Sequence, residues 1–466
     1  MIHTQELFIE SLDLEKHPMR TVSKKKRITY MTFLQFIVDT VIAHKKRSPL
    51  TNTHETYISY TAAVLSKYIH LSVYSKYITA RLNNYYSAFH VDANDTTLNF
   101  SLVHEQIDMP FLYSTGQRTT RLCLACDAYL VLEDPELVSE AFALMSNYLS
   151  KRQRAELKEF AEVLCDETRD IAKFKNAEYL ITQCRKNIAH LRLKEKRILV
   201  TANMSAGKST LINAIIGKRI ARTSQEVCTG NACYIWNKPF EDNNVHLMTA
   251  SLNLHADAAA LSDYTWDGTI AMASYFSSVY PKHERLCIVD TPGVNAALYK
   301  KHSEITHSVL SEQSYDKILY VFSPTNLGTD AELAHLRWMS SHAEHDKIVF
   351  VLNKIDEYRA GHDNIKDSIA SLRQELCQLG FVNPTICPIS AYYAFLQKLK
   401  KDGAVMTEDE EDEYEMLHRK FAKEFYDLSD YYPDALPDAA DSEEILEWKR
   451  SGLYGFEKIL YGGEPL

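Results

Sequence analysis

The sequence predicts an α/β fold: a doubly wound, mostly parallel sheet in the second half of the chain, preceded by a mainly helical N-terminal region. Three observations predict it. From residue 198 onward, short apolar runs bounded by turns alternate with helical segments, the pattern of strands wound into one sheet. The first strand feeds a turn holding Gly207-Lys208-Ser209 and then a helix, the layout of a phosphate-binding loop. Residues 136–194 contain no Gly or Pro and read as long helices.

The bulk numbers bound the rest. A chain of 466 residues holds roughly two to four domains with proper cores. Its 45% apolar and 24% charged residues are those of a globular protein. A net charge of −10 argues against general coating of nucleic acid, which is therefore not an expected partner. Glu6 and Glu10 break any signal-peptide layout, and the most apolar stretch, residues 28–43, includes Gln35 and Asp39. A cytoplasmic chain without a spanning helix is the expectation, with peripheral contact to a membrane left open. The nine cysteines are scattered, and the one close pair, Cys123-x-x-Cys126, reads as core thiols of a reducing compartment.

Taken in order, residues 1–120 read as a mainly helical domain. Residues 28–43, bracketed by the basic runs 24–27 and 45–47, form a core helix with solvated ends, or an amphipathic element touching anionic lipid. Residues 60–69 and 73–82 read as two short helices, followed by an alternating segment at 97–103 that fits a small hairpin. That spacing is similar to a helix-turn-helix, although any three-helix bundle leaves the same trace. Residues 106–121 read as a linker, and residues 121–193 as a neck or lever built of two long helices, 136–149 and 151–193. Beyond the phosphate loop, 232–236 and 244–250 read as an antiparallel pair, while 285–289, 317–322, 347–352 and 385–389 supply further strands. An acidic run at 408–413 opens a helix, a Pro-containing loop follows at 431–440, and a short helix at 452–460 closes the chain.

The chemistry sits at strand ends. In Ala202-Asn203-Met204-Ser205-Ala206-Gly207-Lys208-Ser209-Thr210, backbone N–H groups wrap a β-phosphate and Lys208 reaches the β/γ oxygens. Ser209 ligates Mg²⁺ while the helix N-terminus faces the anion. Ala202 stands where the pattern has its first glycine. Asp290-Thr-Pro-Gly293 follows a strand; the Asp290 carboxylate can hold Mg²⁺ through a water, and the Gly293 N–H can approach a γ-phosphate. Thr229, with Thr223 as the alternative, is the threonine expected to complete the Mg²⁺ shell from a loop that orders on the γ-phosphate. Asn353-Lys354-Ile355-Asp356 supplies a carboxylate that accepts from the ring N–H and exocyclic amine of guanine. Adenine presents no such donor pair. Asn353 positions that loop, Lys354 covers the base, and Ser390-Ala391 brings a backbone N–H to the guanine oxygen. The set predicts a P-loop GTPase domain binding GTP and GDP. Val294 follows Gly293 and cannot orient an attacking water, so Ser205, the Thr229 main chain or a group supplied across a dimer must do so.

These strings, with residues 326–333 and the closing segment 451–460, resemble the bacterial branch of the dynamin superfamily. The resemblance covers the GTPase domain, residues 194–466, with residues 395–448 as an acidic helical insertion before the last helix. It implies catalytic roles for Ser205, Lys208 and Thr229, a charge-compensating K⁺ or Na⁺, and hydrolysis in head-to-head homodimers of the GTPase domain. Membrane-bending members carry a helical stalk after that domain, whereas this chain ends at Leu466 with its helical mass in front. Remodelling of a membrane would then need a partner that supplies the stalk. The expected function is Mg²⁺-dependent, assembly-coupled GTP hydrolysis; the alternative is a GTP-gated switch whose N-terminal region binds a protein or nucleic acid.

Overall fold

The computed structural model describes residues 11–45, 73–97, 115–147, 149–202, 205–221, 232–249, 251–257, 260–261, 270–280, 284–292, 306–311, 315–324, 330–438 and 441–462. Two units divide them: Met1–Arg192 with Pro239–Asp242 and Leu252–Leu254, and the remainder from Leu193 to Leu466.

The first unit is helical: α1 (Lys24–Lys45), α2 (Val73–Phe89), α3 (Ala93–Thr97), α4 (Arg118–Leu132), α5 (Pro135–Asn147), α6 (Lys151–Cys165) and α7 (Glu178–Arg192). Every residue of α4 from Arg121 to Leu132 is buried, as befits a helix apolar on nearly all sides. Cys123 and Cys126 are among them, free and enclosed in the core. The expected core helix at 28–43 lies within α1 and buries Tyr30, Leu34, Val38 and Val41. Asp127 of α4 is fully buried and accepts from Tyr30 Oη, Tyr85 Oη (3.0 Å) and His17 Nε2 (2.9 Å). His17 Nδ1 accepts from Met19 N at 3.0 Å, which places the ring proton on Nε2. A buried carboxylate is tolerable because three donors converge on it.

The expected single helix over 151–193 does not form. Asp166 accepts from the Thr168 amide (3.0 Å) and Asp170 from the Ala172 amide (2.8 Å), so side chains take the N–H groups a helix would use. A 3₁₀ turn at Ala172–Ala177 follows, and α6 and α7 are separate fifteen-residue helices. The helix expected at 60–69 and nearly all of the hairpin at 97–103 lie outside the described residues.

The second unit is built on β1 (Glu195–Ala202), β2 (Cys233–Asn237), β3 (His246–Met248), β5 (Ile270–Ser274), β6 (Arg285–Asp290), β7 (Lys317–Phe322), β8 (Ile348–Leu352) and β9 (Thr385–Pro388), while the two-residue β4 (Leu252–Asn253) belongs to the first. Within this unit the strand order is β3-β5-β2-β6-β1-β7-β8-β9. β6, β1, β7, β8 and β9 run parallel, while β2 is antiparallel to β6 and β3 to β5. The expected pairing of 232–236 with 244–250 is therefore wrong: β5 lies between β2 and β3. Its sequence, Ile-Ala-Met-Ala-Ser, is too short and weakly apolar to stand out.

Helices α8 (Lys208–Ile216), α9 (Asp330–His342), α10 (Ile365–Gln378), α11 (Ala391–Lys401), α12 (Glu408–Phe421), α13 (Glu443–Arg450) and α14 (Leu453–Tyr461) complete this unit. α8 is pinned at its C-terminal end. Lys398 of α11, fully buried, donates to Ile215 O (2.7 Å) and Ser277 O (2.8 Å) and pairs with Glu457 of α14 at 2.5 Å. The Glu457 carboxylate in turn accepts from Ser278 Oγ, Val279 N and Tyr280 N at 2.7–2.8 Å. Such a pair tolerates burial because backbone groups satisfy both ends. Among the described residues no helix is long and apolar enough to cross a membrane.

Candidate nucleotide-binding site

β1 is flanked by β6 on one side and β7 on the other, all parallel, so its C-terminal end opens into the crevice where such sheets hold ligands. Ala202 is the last residue of β1, buried and in register with Val321. That position asks for extended chain rather than glycine. Asn203 and Met204 lie outside the described residues. The chain then turns through Ser205, exposed at φ 63°, and Gly207 at φ 87°, which caps α8. Left-handed residues in a short loop curve the backbone in the way that gathers N–H groups around an anion. A Cβ on Gly207 would stand 2.3 Å from Asn353 Nδ2, so both conformation and space demand glycine.

Asn353 ties the site together. Nearly fully buried after β8, it donates from Nδ2 to Ala206 O and accepts at Oδ1 from Ala391 N, both at 2.9 Å, while its own amide bonds Phe322 O. One side chain thus links the phosphate loop, the β8 end and the start of α11. Lys208, the first residue of α8, forms an ion pair with Asp290 at the end of β6. Ser209 and Thr210 follow in the first turn of α8, half-buried. Thr291 closes the strand end onto β1, its hydroxyl donating to Val200 O at 3.0 Å. A hydroxyl at Ser209 and a carboxylate at Asp290 are the hard oxygen donors that Mg²⁺ takes, and they fit that ion. Gly293, Val294, Thr223 and Thr229 lie outside the described residues.

The base-side loop is equally constrained. Lys354 adopts φ 62° and pairs with Glu357 at 3.0 Å, and Ile355 is fully buried as the anchor between them. This puts Asp356 at a half-buried position. Burial pushes the Asp356 carboxyl above the usual aspartate range; a hydrogen bond from Ser390 opposes the rise, and Glu357 adds to it while Lys420 opposes it. Ser390 caps α11, its Oγ accepting from Tyr393 N at 3.1 Å, which leaves the hydroxyl proton for Asp356. Ala391 is buried beside it.

Two residues escaped the sequence reading. Asn213 of α8 accepts from the Ile220 and Ala221 amides (2.9 and 2.7 Å) and donates to Ala221 O, fixing the chain where it leaves for residues 222–231. A buried asparagine on an otherwise apolar helix face was its signal. Lys420 of α12 donates to Asp356 O (2.6 Å) and Tyr358 O (3.2 Å), and nothing in the acidic run around it marks it out. Behind the β1 end, His335 Nε2 meets Thr201 Oγ1 at 3.4 Å and its Nδ1 meets His307 Nε2 at 3.3 Å, with His307 stacked on Trp338 at 3.8 Å. Burial and the neighbouring His307 push His335 down to about 3, so it stays neutral at physiological pH.

Residues 198–355 match the family model described as "Dynamin family". A curated relative, the probable transmembrane GTPase FZO-like, chloroplastic, of Arabidopsis thaliana, is 25% identical over 213 residues, covering 46% of this chain and 21% of that protein. The chain thus spans about a fifth of the length of the relative it matches. Among solved structures, an Era variant of Aquifex aeolicus bound to GDP·AlF₄⁻ matches at 19% identity and a TM-score of 0.29, over 46% of this chain and 59% of that one. Toc33 of Arabidopsis thaliana with Mg²⁺ and GMPPNP matches at 13% and 0.29, over 47% and 75%. Those superpositions are too loose to bear on function. The sequence matches are not: the chain carries a GTPase domain of the dynamin superfamily, and the resemblance is confined to that domain.

Proposed function

We propose that this domain hydrolyses GTP with Mg²⁺, reads guanine through Asp356, and reaches full activity only when two GTPase domains meet. The observation that carries the reading is Asn353, whose two 2.9 Å hydrogen bonds join the phosphate loop to the loop that presents Asp356. Nucleotide phosphates and base would be held by parts fixed to one another, which places the γ-phosphate reproducibly. Lys208 is set to meet the β/γ oxygens, exchanging the Asp290 carboxylate for phosphate. Ser209 and Asp290, the latter through water, would hold Mg²⁺, which neutralises phosphate charge when bound. An ionised Asp356 accepts from the two guanine donors, Lys354 covers the ring face, and the Ala391 region meets the guanine oxygen.

Val294 leaves the attacking water without an orienting side chain from that position, and we assign the task to exposed Ser205 together with Thr229. A K⁺ or Na⁺ beside the phosphates, a homodimer through the GTPase domains and a setting at a membrane surface are extensions of the same reading. Lys208→Ala tests its core. The variant should lose GTP binding or turnover by at least about a hundredfold while melting like the parent; retained turnover would refute the assignment of this loop.

A further inference from the structure

The acidic segment that follows α11 has no part in the reading above, yet one of its side chains is bonded to the backbone that would present the base-reading carboxylate. Lys420, near the C-terminal end of α12, donates to Asp356 O at 2.6 Å and to Tyr358 O at 3.2 Å. Its ammonium lies 4.6 Å from the centroid of the Tyr426 ring. Tyr426 Oη donates to Tyr358 O at 2.9 Å and accepts from Ala360 N at 3.2 Å. Three backbone groups just after the Asn353-Lys354 turn are therefore held by two side chains from outside the nucleotide motifs.

α12 itself is seated firmly. Glu447 of α13 accepts from Tyr414 Oη of α12 and Tyr393 Oη of α11, both at 2.8 Å, and lies 3.3 Å from His418 Nδ1. Tyr414, Leu417 and Phe421 are the buried residues of α12, and Phe421 stacks near Tyr393 with ring centroids 5.0 Å apart. α11, which carries Ser390 as its N-cap, and α12, which carries Lys420, are thus locked to each other through Glu447. The two contacts that set Asp356, at its carboxyl from Ser390 and at its carbonyl from Lys420, come from one rigid assembly.

From this geometry we infer that Lys420, braced by Tyr426, is a positioning residue for base selectivity: it fixes the Asp356 backbone so that the carboxylate can meet both guanine donors together. The inference rests on the proposed guanine reading. Its chemistry is specific. Guanine offers Asp356 a ring N–H and an exocyclic amine, while hypoxanthine offers the ring N–H alone. A carboxylate free to tilt keeps the stronger single bond and loses the paired geometry, so guanine suffers more than hypoxanthine.

The test compares GDP, IDP and ADP binding by calorimetry, and GTP turnover, in the full chain and in Lys420→Met, which keeps the stem but drops the ammonium. The expected result is a loss of GDP affinity of about tenfold, a loss of IDP affinity of at most about threefold, and a raised KM for GTP with kcat at saturation within about twofold of the parent. Lys420→Arg should restore the GDP:IDP ratio, and Tyr426→Phe should shift it in the same direction by less. A Lys420→Met protein with the parent's GDP:IDP ratio overturns the inference, as does an equal loss on every nucleotide. Should Lys420→Met not fold, Tyr426→Phe decides alone, an unmoved ratio overturning the inference. An unmodified chain that binds ADP as tightly as GDP would instead overturn the guanine reading itself, and the brace with it.

Discussion

At Gly207 two independent demands meet: a left-handed φ of 87° and a Cβ position only 2.3 Å from Asn353 Nδ2. The glycine was legible in the sequence as a motif letter, but its reason was not, because Asn353 is 146 positions away and comes into view only once β8 lies in the sheet beside β7. Asn353→Ala leaves Ala206 O and Ala391 N without their partner. It should cost about 1–3 kcal/mol of stability and weaken GDP binding, which thermal melts and calorimetry read directly. Asp39 makes a different residue-scale prediction. It is buried on α1, accepts from Gln35 at 2.8 Å through Oδ1, and its buried Oδ2 has no hydrogen-bond partner among the described residues. Burial raises its pKa to about 7 from an ordinary 3.8, against the opposing Gln35 hydrogen bond. A raised folded-state pKa means the folded chain binds the proton more tightly. The stabilisation is present in full below about pH 4 and is lost as pH rises through about 7. Asp39→Asn should therefore raise the melting temperature at pH 8 and flatten its fall between pH 5 and 8; an unchanged pH profile would refute this.

Elements were legible where periodicity was long and their ends were marked. α1, the phosphate-loop strand and helix, β6 to β9 and the closing α14 follow from apolar runs and turn residues in the sequence. The break between α6 and α7 was not, because no Gly or Pro signals it. Asp166 and Asp170 do the work by bonding amides two residues on, a competition a propensity count does not register. β5 was missed for the opposite reason: its five residues carry too little pattern, and its place between β2 and β3 is decided by the whole sheet. The seat of α12 belongs to this scale as well. Tyr393, Tyr414 and His418 share one carboxylate, Glu447, and Glu447→Leu removes the acceptor from two buried hydroxyls at once. Its expected cost is about 2–4 kcal/mol. The damage should reach the base side more than the phosphate side: in nucleotide-free protein, hydrogen exchange should rise around Asp356–Ala360 and stay unchanged in α8. Equal deprotection of α8 would contradict the coupling proposed here.

At the scale of the molecule, a P-loop GTPase domain was legible from motif order, since each motif has to fall at a strand end and the strands themselves were clear, whereas the dynamin superfamily was legible only through the resemblance of particular strings. Roles that depend on residues 222–231 and 293–305 stay with the sequence reading, because those segments lie outside the described residues. On the proposed reading, Val294 after Gly293 predicts a concentration-dependent enzyme: turnover per subunit should rise over about a hundredfold increase in protein concentration, and a flat profile would argue for a self-sufficient monomer. The proposed function rests, however, on Asp356 as the reader of guanine within a phosphate site tied to it by Asn353. The most direct measurement is GTP against XTP turnover in Asp356→Asn. Xanthine carries a carbonyl where guanine carries its amine, and an asparagine amide donates where the carboxylate accepted. GTP turnover at low substrate should fall by about a hundredfold or more while XTP turnover rises above that of the parent; an unchanged preference for GTP in that variant would contradict the role of Asp356.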